Sequence, residues 1–329
     1  MKKSICVCAI AAAVAGPVAA QSGITIYGRL DVGVTKQDDG TSALAGGNGQ
    51  TGAAGNRWDV RGASSSRLGV RVREDLGNGL QAGALLEHRL NADTGAQQNA
   101  NVMWNGRSIV ELGSSTAGTL YLGRDYLPAY WIADALDPFG GDTVGRTRDD
   151  YLLAAYRVDG DVRSNNTVGY RSPVWGGFSA QLAVSAGEGV RTSPANKRAV
   201  GGHLRYSAGP VYVGLGVDQV DSSNRLWVLG AAYDLGVVRP MIAYSTSKVA
   251  NLERKAWSVG VTAPLGAGRL KVAYARLDPA GLNNMLAKFG LGYEHALSKR
   301  TALYADVGSA KREGLTRTTA FDLGVKHNF

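Results

Sequence analysis

Ser66-Arg67-Leu68-Gly69-Val70-Arg71-Val72-Arg73-Glu74-Asp75-Leu76-Gly77-Asn78-Gly79-Leu80 is the stretch whose reading decides the fold. Leu68, Val70 and Val72 fall on one parity; Arg67, Gly69, Arg71 and Arg73 fall on the other. A period of two is that of a strand, because successive side chains leave the backbone on opposite faces. Asp75 to Gly79 supplies the glycine, asparagine and aspartate of a tight turn. The stretch is thus a strand with an aliphatic face and an arginine face, running into a hairpin turn.

The same alternation recurs in both directions along the chain. Ile24, Ile26, Leu30, Val32 and Val34 oppose Thr25, Tyr27, Arg29, Asp31 and Thr35. Val211, Val213, Leu215 and Val217 oppose Tyr212, Gly214, Gly216 and Asp218, and Phe321, Leu323 and Val325 oppose Asp322, Gly324 and Lys326. Reading these patterns predicts sixteen strands, at 23–36, 57–75, 79–91, 102–114, 118–126, 163–172, 177–187, 198–207, 210–219, 226–235, 237–247, 254–264, 268–277, 286–297, 300–311 and 317–329. Connections alternate in length. Tight turns such as 75–79, 117–118 and 208–209 are interleaved with long polar segments such as 37–55, 91–101, 188–197 and 277–285. Short turns at one end, long loops at the other and an even strand number are the arrangement of an antiparallel transmembrane β-barrel. Many of the 45 glycines lie on the polar parity, which suits a crowded or water-lined interior. The chain ends on Phe329, with His327, Val325 and Leu323 on its parity, as an outer-membrane assembly signal would. A secreted β-sandwich would also alternate; it does not require these loop lengths or this ending.

Lys2 and Lys3, the apolar run from Ile5 to Val14, and Val18-Ala19-Ala20 lay out a secretory signal peptide over residues 1–20. The run is shorter than the ~20 residues of a membrane-spanning helix. Residues 21–329 would then form the barrel. Both cysteines, Cys6 and Cys8, lie in the leader, so the barrel has neither a disulfide framework nor a cysteine metal site. The net charge of +9 becomes +7 without Lys2 and Lys3. The basic residues are scattered at strand spacing, and no nucleic-acid-binding pattern is present.

The 127–162 connection is long and carries Tyr130, Trp131, Leu136 and Phe139, with a short helix expected around 130–136. A loop of this length and apolarity is functional or inserted; inside a wide barrel it can fold inward and narrow the passage.

These residues resemble the general porins of β-proteobacteria, of the Neisseria, Bordetella and Comamonas type. Ile24-Thr25-Ile26-Tyr27-Gly28-Arg29-Leu30-Asp31 is similar to the family's first strand, and the 66–80 stretch to its most specific motif. Gly118-Thr119-Leu120-Tyr121-Leu122-Gly123-Arg124 resembles the strand before the constriction loop, and Asp137-Pro138-Phe139-Gly140-Gly141 the tip of that loop. Tyr170-Arg171-Ser172-Pro173, Ala296-Leu297-Ser298-Lys299-Arg300-Thr301 and Val325-Lys326-His327-Asn328-Phe329 complete the likeness over residues 21–329. The resemblance implies an all-β, sixteen-stranded antiparallel barrel whose long third loop folds into the pore. It also implies passive diffusion of small hydrophilic solutes through a homotrimer in outer-membrane lipid and lipopolysaccharide. Export through the Sec pathway and insertion by the barrel assembly machinery through Phe329 would follow.

Parity selects the wall independently. With Leu68, Val70 and Val72 toward lipid, Arg67, Arg71 and Arg73 face the lumen, and Arg29, Arg89 and Arg107 follow by the same reasoning. A lysine or arginine on the lipid face at mid-membrane would cost about 2–4 kcal/mol. Asp134, Asp137 and Asp142 are the facing acids on the long loop, with Arg124, Arg146 and Arg148 nearby. Opposed charges across a narrow pore create a transverse field, and rings of arginine favour anions. The competing reading is that the arginines solvate a wet interior or pair with Glu87 and Glu111. Trp58, Trp104, Tyr170, Trp175, Tyr244 and Trp257 are candidates for interfacial girdles or subunit contacts. The four histidines have no metal-ligand spacing, and no Gly-x-Ser-x-Gly elbow or phosphate loop is present. The expectation is a non-enzymatic, cofactor-free channel for inorganic anions and small solutes. A channel selective for one small organic anion, or a barrel enzyme or adhesin, are the alternatives.

Overall fold

The computed structural model describes residues 23–42, 56–154, 161–187, 198–220, 224–249, 252–279 and 285–329. The leader expected at 1–20 and much of the 37–55 and 188–197 connections lie outside them. The described residues form strands β1 (Gly23–Gln37), β2 (Arg57–Arg61), β3 (Ser66–Gly77), β4 (Leu80–Leu90), β5 (Arg107–Ser114), β6 (Gly118–Tyr126), β7 (Arg163–Arg171), β8 (Phe178–Ser185) and β9 (Ala199–Ala208). These are followed by β10 (Val211–Val220), β11 (Asn224–Tyr233), β12 (Arg239–Val249), β13 (Leu252–Leu265), β14 (Gly268–Pro279), β15 (Leu286–Ala296), β16 (Thr301–Arg312) and β17 (Thr318–Asn328). From β3 onward each strand pairs antiparallel with the next. The sheet closes where β1 pairs with β17, Arg29 opposite Asn328 through Gln37 opposite Ala320. β2 and β3 both pair with β1, at Gly33–Gln37 and Gly23–Arg29 respectively. They share one crossing, so the closed barrel has sixteen antiparallel strands.

Two of the expected strands differ from what alternation predicts. The 57–75 strand is interrupted at 62–65 because the Asp31 carboxylate, buried on β1, draws the backbone toward itself. It accepts hydrogen bonds from the Ala63 and Ser64 N–H groups at 3.2 and 3.1 Å and from the Tyr304 hydroxyl at 2.7 Å. The 102–114 strand begins only at Arg107; Val102 donates back to Asn99 in a turn instead of entering the ladder.

The two faces of the closed sheet separate as the alternation demands. Leu112, Leu120, Leu122, Leu182, Leu204 and Ile242 are among the more than half-exposed side chains, and Ile24 is 73% exposed. On the opposite parity Tyr121, Asp218, Asp306 and Asp322 are buried. A sheet with aliphatics on its exposed face and charges on its buried one is built for an apolar exterior. No helix among the described residues is long and apolar enough to cross a membrane.

The long connection supplies helix α1 (Pro128–Ala135), close to its expected place, and one π-helical turn at Arg148–Leu152. Proline at the first helical position has the right φ and no N–H to satisfy. The next N–H, that of Ala129, is taken by the carboxylate of Asp218 on β10 at 2.9 Å, while His203 Nδ1 donates to the Pro128 carbonyl at 2.9 Å. Farther along, the Val144 N–H donates to Asp322 on β17 at 2.9 Å and the Thr143 N–H to the Ala63 carbonyl at 3.0 Å.

A track of glycines lies beneath this segment. A Cβ on Gly214 would meet the Ile132 side chain at 2.9 Å, on Gly230 the Leu136 side chain at 2.5 Å, and on Gly260 the Pro138 ring at 2.4 Å. On Gly308 it would meet the Val144 carbonyl oxygen at 2.1 Å. All four glycines sit opposite the exposed aliphatics on their strands, so at these positions the missing side chain makes room for the loop. At Gly308 the loop backbone itself lies against that face of the wall.

Candidate functional site

Between the 127–154 segment and the wall lies a cavity of about 1490 Å³. β1, β3, β4, β5 and β6 bring Arg29, Arg67, Arg89, Arg107 and Arg124 to its lining; the loop contributes Asp134, Asp137, Asp142, Arg146 and Arg148. Arg71 and Arg73 share the parity of Arg67 but lie toward the Asp75–Gly79 turn, off the lining; Arg71 stacks over the Tyr27 ring at 5.2 Å.

Arg124 reaches the cavity by a departure from alternation. It lies on the parity of the exposed Leu120 and Leu122, yet the register shifts between Gly123 and Asp125. Gly123 has φ +129°, and a Cβ there would stand 2.1 Å from the Ser108 carbonyl oxygen. This β-bulge turns the strand locally and re-aims the next side chain. Arg124 then donates to Asp161 at 2.7 Å and Asn165 at 2.8 Å.

Much of the charge is paired. Arg107 grips Asp125 with two hydrogen bonds, 2.7 and 2.8 Å, and Arg171 donates to the same carboxylate at 2.7 Å and to Glu111 at 2.9 Å. The Asp125 side chain is fully buried, so both arginines stand as its counter-ions. Glu87 lies 2.6 Å from Arg89 and 3.9 Å from Arg67, and accepts from the Tyr27 hydroxyl at 3.1 Å. The pairing foreseen for Glu87 and Glu111 is therefore part of the wall, beside the lining role. Arg29 bridges to Asp142 at 3.1 Å across the gap between strand and loop.

Asp137 does something else. Its carboxylate accepts the N–H groups of Phe139, Gly141, Thr147 and Arg148 at 2.9–3.2 Å, and the Thr147 hydroxyl at 3.3 Å. It is the hub that folds the loop tip. Gly141, at φ +71°, passes so close to the Arg148 guanidinium that a Cβ would stand 1.9 Å from it. Arg148 pairs with Asp134 and Asp149 and lies 4.7 Å from the Tyr130 ring centre. Burial raises the Asp134 carboxyl above its ordinary range, against the opposing pull of Arg148; Asp142 and Asp137 add to the rise.

Several lining residues were not singled out from the sequence: Arg163, Arg239, Arg269, Lys271, Lys326 and Glu294. Lys271 lies 3.1 Å from Asp306 and 3.8 Å from Glu294, and Lys326 lies 2.6 Å from Glu294. The parity rule that selected Arg67 would have found Lys271 and Lys326 on β14 and β17. Arg239 and Arg269 pair with no carboxylate among the described residues. Among the described residues twelve cationic and eight anionic side chains line the cavity, an excess of four positive charges, and two of those cations, Arg107 and Lys271, are bound to Asp125 and Asp306 behind the lining. Outside, Trp58, Trp175, Tyr244 and Trp257 are exposed with the aliphatics, as girdle residues would be.

Comparison with known proteins places this geometry. A family model described as Gram-negative porin matches residues 7–315. Outer membrane porin protein 32 of Delftia acidovorans is 32% identical over 95% of this chain and 90% of that protein. An outer membrane porin protein of Bordetella pertussis is 27% identical over the full length of both. Among solved structures, an anion-selective porin from Comamonas acidovorans superposes with a TM-score of 0.79 at 27% identity, covering 94% of this chain and all of that one.

Proposed function

The chain belongs to the Gram-negative porins, and from that premise we propose that it is an anion-preferring diffusion channel whose passage is narrowed by the 127–162 loop. An outer-membrane porin carries ions and small hydrophilic solutes passively, and its relatives are channels, not enzymes. The observation that carries the anion preference is the excess of four positive charges around the cavity. In a confined, water-filled passage a surplus of arginine and lysine over carboxylates raises the local anion concentration and lowers that of cations. The name of the Comamonas structure points the same way.

The remaining parts of the reading follow from the family and the sequence. Residues 1–20 act as a Sec leader, three copies assemble into a trimer in lipid and lipopolysaccharide, and Phe329 is read by the assembly machinery. Arg29, Arg67, Arg89, Arg107 and Arg124 face Asp134 and Asp142 across the constriction. Planar-bilayer recording tests the proposal: stepwise openings in threes, with a reversal potential across a salt gradient directed toward the anion equilibrium potential, are expected. A cation-directed reversal would mean that the loop carboxylates dominate and would sink it.

A further inference from the structure

Trp131 is the only one of the six tryptophans that lines the cavity. Trp58, Trp175, Trp227 and Trp257 are exposed on the outward face, and Trp104 sits edge-on to His88 away from the lining. Trp131 lies on α1, its ring edge-on to Tyr126 at 5.1 Å and to Tyr130 at 5.3 Å. Those two tyrosines are stacked on each other at 4.1 Å. Arg163 sits 4.1 Å from the Tyr126 ring centre and Arg148 4.7 Å from that of Tyr130. Both tyrosines also reach the lining, but their rings are buried. Trp131 remains partly open to the cavity, with the Arg107 guanidinium carbon 5.7 Å from its ring centre. Arg107 uses Nε and Nη2 on Asp125, and its Nη1 makes no hydrogen bond among the described residues.

We propose that Trp131 and Arg107 form a stacking site for planar aromatic carboxylates in transit through the channel. The inference rests on the anion-preferring reading above. A hydrated inorganic anion gains little from an indole face, whereas an aromatic ring laid against one gains offset-stacking or edge contact beyond simple area burial. A carboxylate on that ring finds the free N–H donors of a guanidinium whose orientation Asp125 fixes. The competing account is that Trp131 only packs α1 onto the wall. It predicts no discrimination between a flat π-system and a saturated ring of the same charge and similar size.

That difference is the test. Chloride current through the wild-type channel is titrated with benzoate and, separately, with cyclohexanecarboxylate. Half-maximal interruption by benzoate is expected at about fivefold lower concentration, the factor that a stacking gain of about 1 kcal/mol gives at 1.4 kcal/mol per decade. Trp131→Leu should bring the two half-blocking concentrations together, and Trp131→Phe should keep part of the gap. Equal block of the wild-type channel by both acids, with an anion-directed reversal intact, overturns the stacking site and leaves the anion-preferring reading standing. So does a gap that persists in Trp131→Leu. A cation-directed reversal overturns both. Should the Leu variant not assemble, equal block of the wild type still overturns the site, and so does a gap undiminished in Trp131→Phe.

Discussion

Neutralising the two unpaired cavity arginines together, as Arg239→Gln with Arg269→Gln, should lower the chloride-to-potassium permeability ratio about sevenfold in roughly 0.1 M salt. That magnitude follows from their placement on the lining with no carboxylate partner among the described residues. An ion passing about 7 Å from a unit charge in a water-like dielectric interacts by about 0.6 kcal/mol. Screening over a Debye length of about 10 Å at 0.1 M reduces this to about 0.3 kcal/mol. The term is favourable for the anion and equally unfavourable for the cation, so each arginine moves their ratio by about 0.6 kcal/mol. Two arginines move it by about 1.2 kcal/mol, or about sevenfold. At 1 M salt, with a Debye length of about 3 Å, the same pair should change the ratio less than about twofold. The assay is reversal potential across a salt gradient in a planar bilayer, at both mean concentrations. Neither side chain holds the wall together through an ion pair, so folding should be spared and a heat-shifted band on a gel retained. A ratio unchanged within about twofold at 0.1 M would refute the reasoning, and would assign selectivity to paired arginines whose partners do not cancel their field.

Three further outcomes follow from the loop. Asp137→Ala removes the acceptor of four backbone N–H groups and one hydroxyl; at about 1.5–3 kcal/mol for a hydrogen bond to a charged group, shared over a strained tip, a loss of at least about 3 kcal/mol is expected, seen as protease cleavage within 137–150 under conditions where the wild-type loop resists. Gly308→Val drives a side chain into the Val144 carbonyl, which as backbone cannot rotate aside; overpacking of about 1–3 kcal/mol should push the loop off the wall and lower single-channel conductance. Acidification from pH 7 should protonate Asp134 before an ordinary aspartate, because burial raises its carboxyl; each proton removes a negative charge from the lining, so anion preference should rise as pH falls, and Asp134→Asn should flatten the early part of that rise.

Sequence alternation carried most of the barrel because it depends only on the period of a strand and on which face meets lipid. It placed Leu68, Val213 and Leu323 on one face and Asp218 and Asp322 on the other, as the exposures have it. It failed where a local demand overrode the period. The kink at 62–65 exists because Asp31 needs donors, and one of them, Tyr304, is 273 residues away. The turn of Arg124 into the lumen depends on the Gly123 bulge, whose signal is an arginine on the leucine parity directly after a glycine. Lys271 and Lys326 obey the same parity rule as Arg67, on strands late in the chain. Asp137 could be seen as an acid at a loop tip; its partners are N–H groups up to eleven residues farther on, which no side-chain pattern announces.

The same distinction bears on how such a channel selects. Net charge alone would treat Arg107 and Arg239 alike. Arg107 and Arg171 neutralise a fully buried aspartate, and removing either would leave that carboxylate short of a counter-ion inside the wall, a cost of several kcal/mol that falls on folding. Arg239 and Arg269 make no ion pair among the described residues, and the carboxylate opposite Arg269, Glu294, is already taken by Lys326 and Lys271, so more of their charge is left for the water of the passage. Arg29 stands between the two cases, bridging strand to loop through Asp142 while remaining on the lining. On the proposed reading selectivity belongs to the excess of cations over their partners, while the paired majority holds the loop against the wall through contacts such as Arg29 to Asp142.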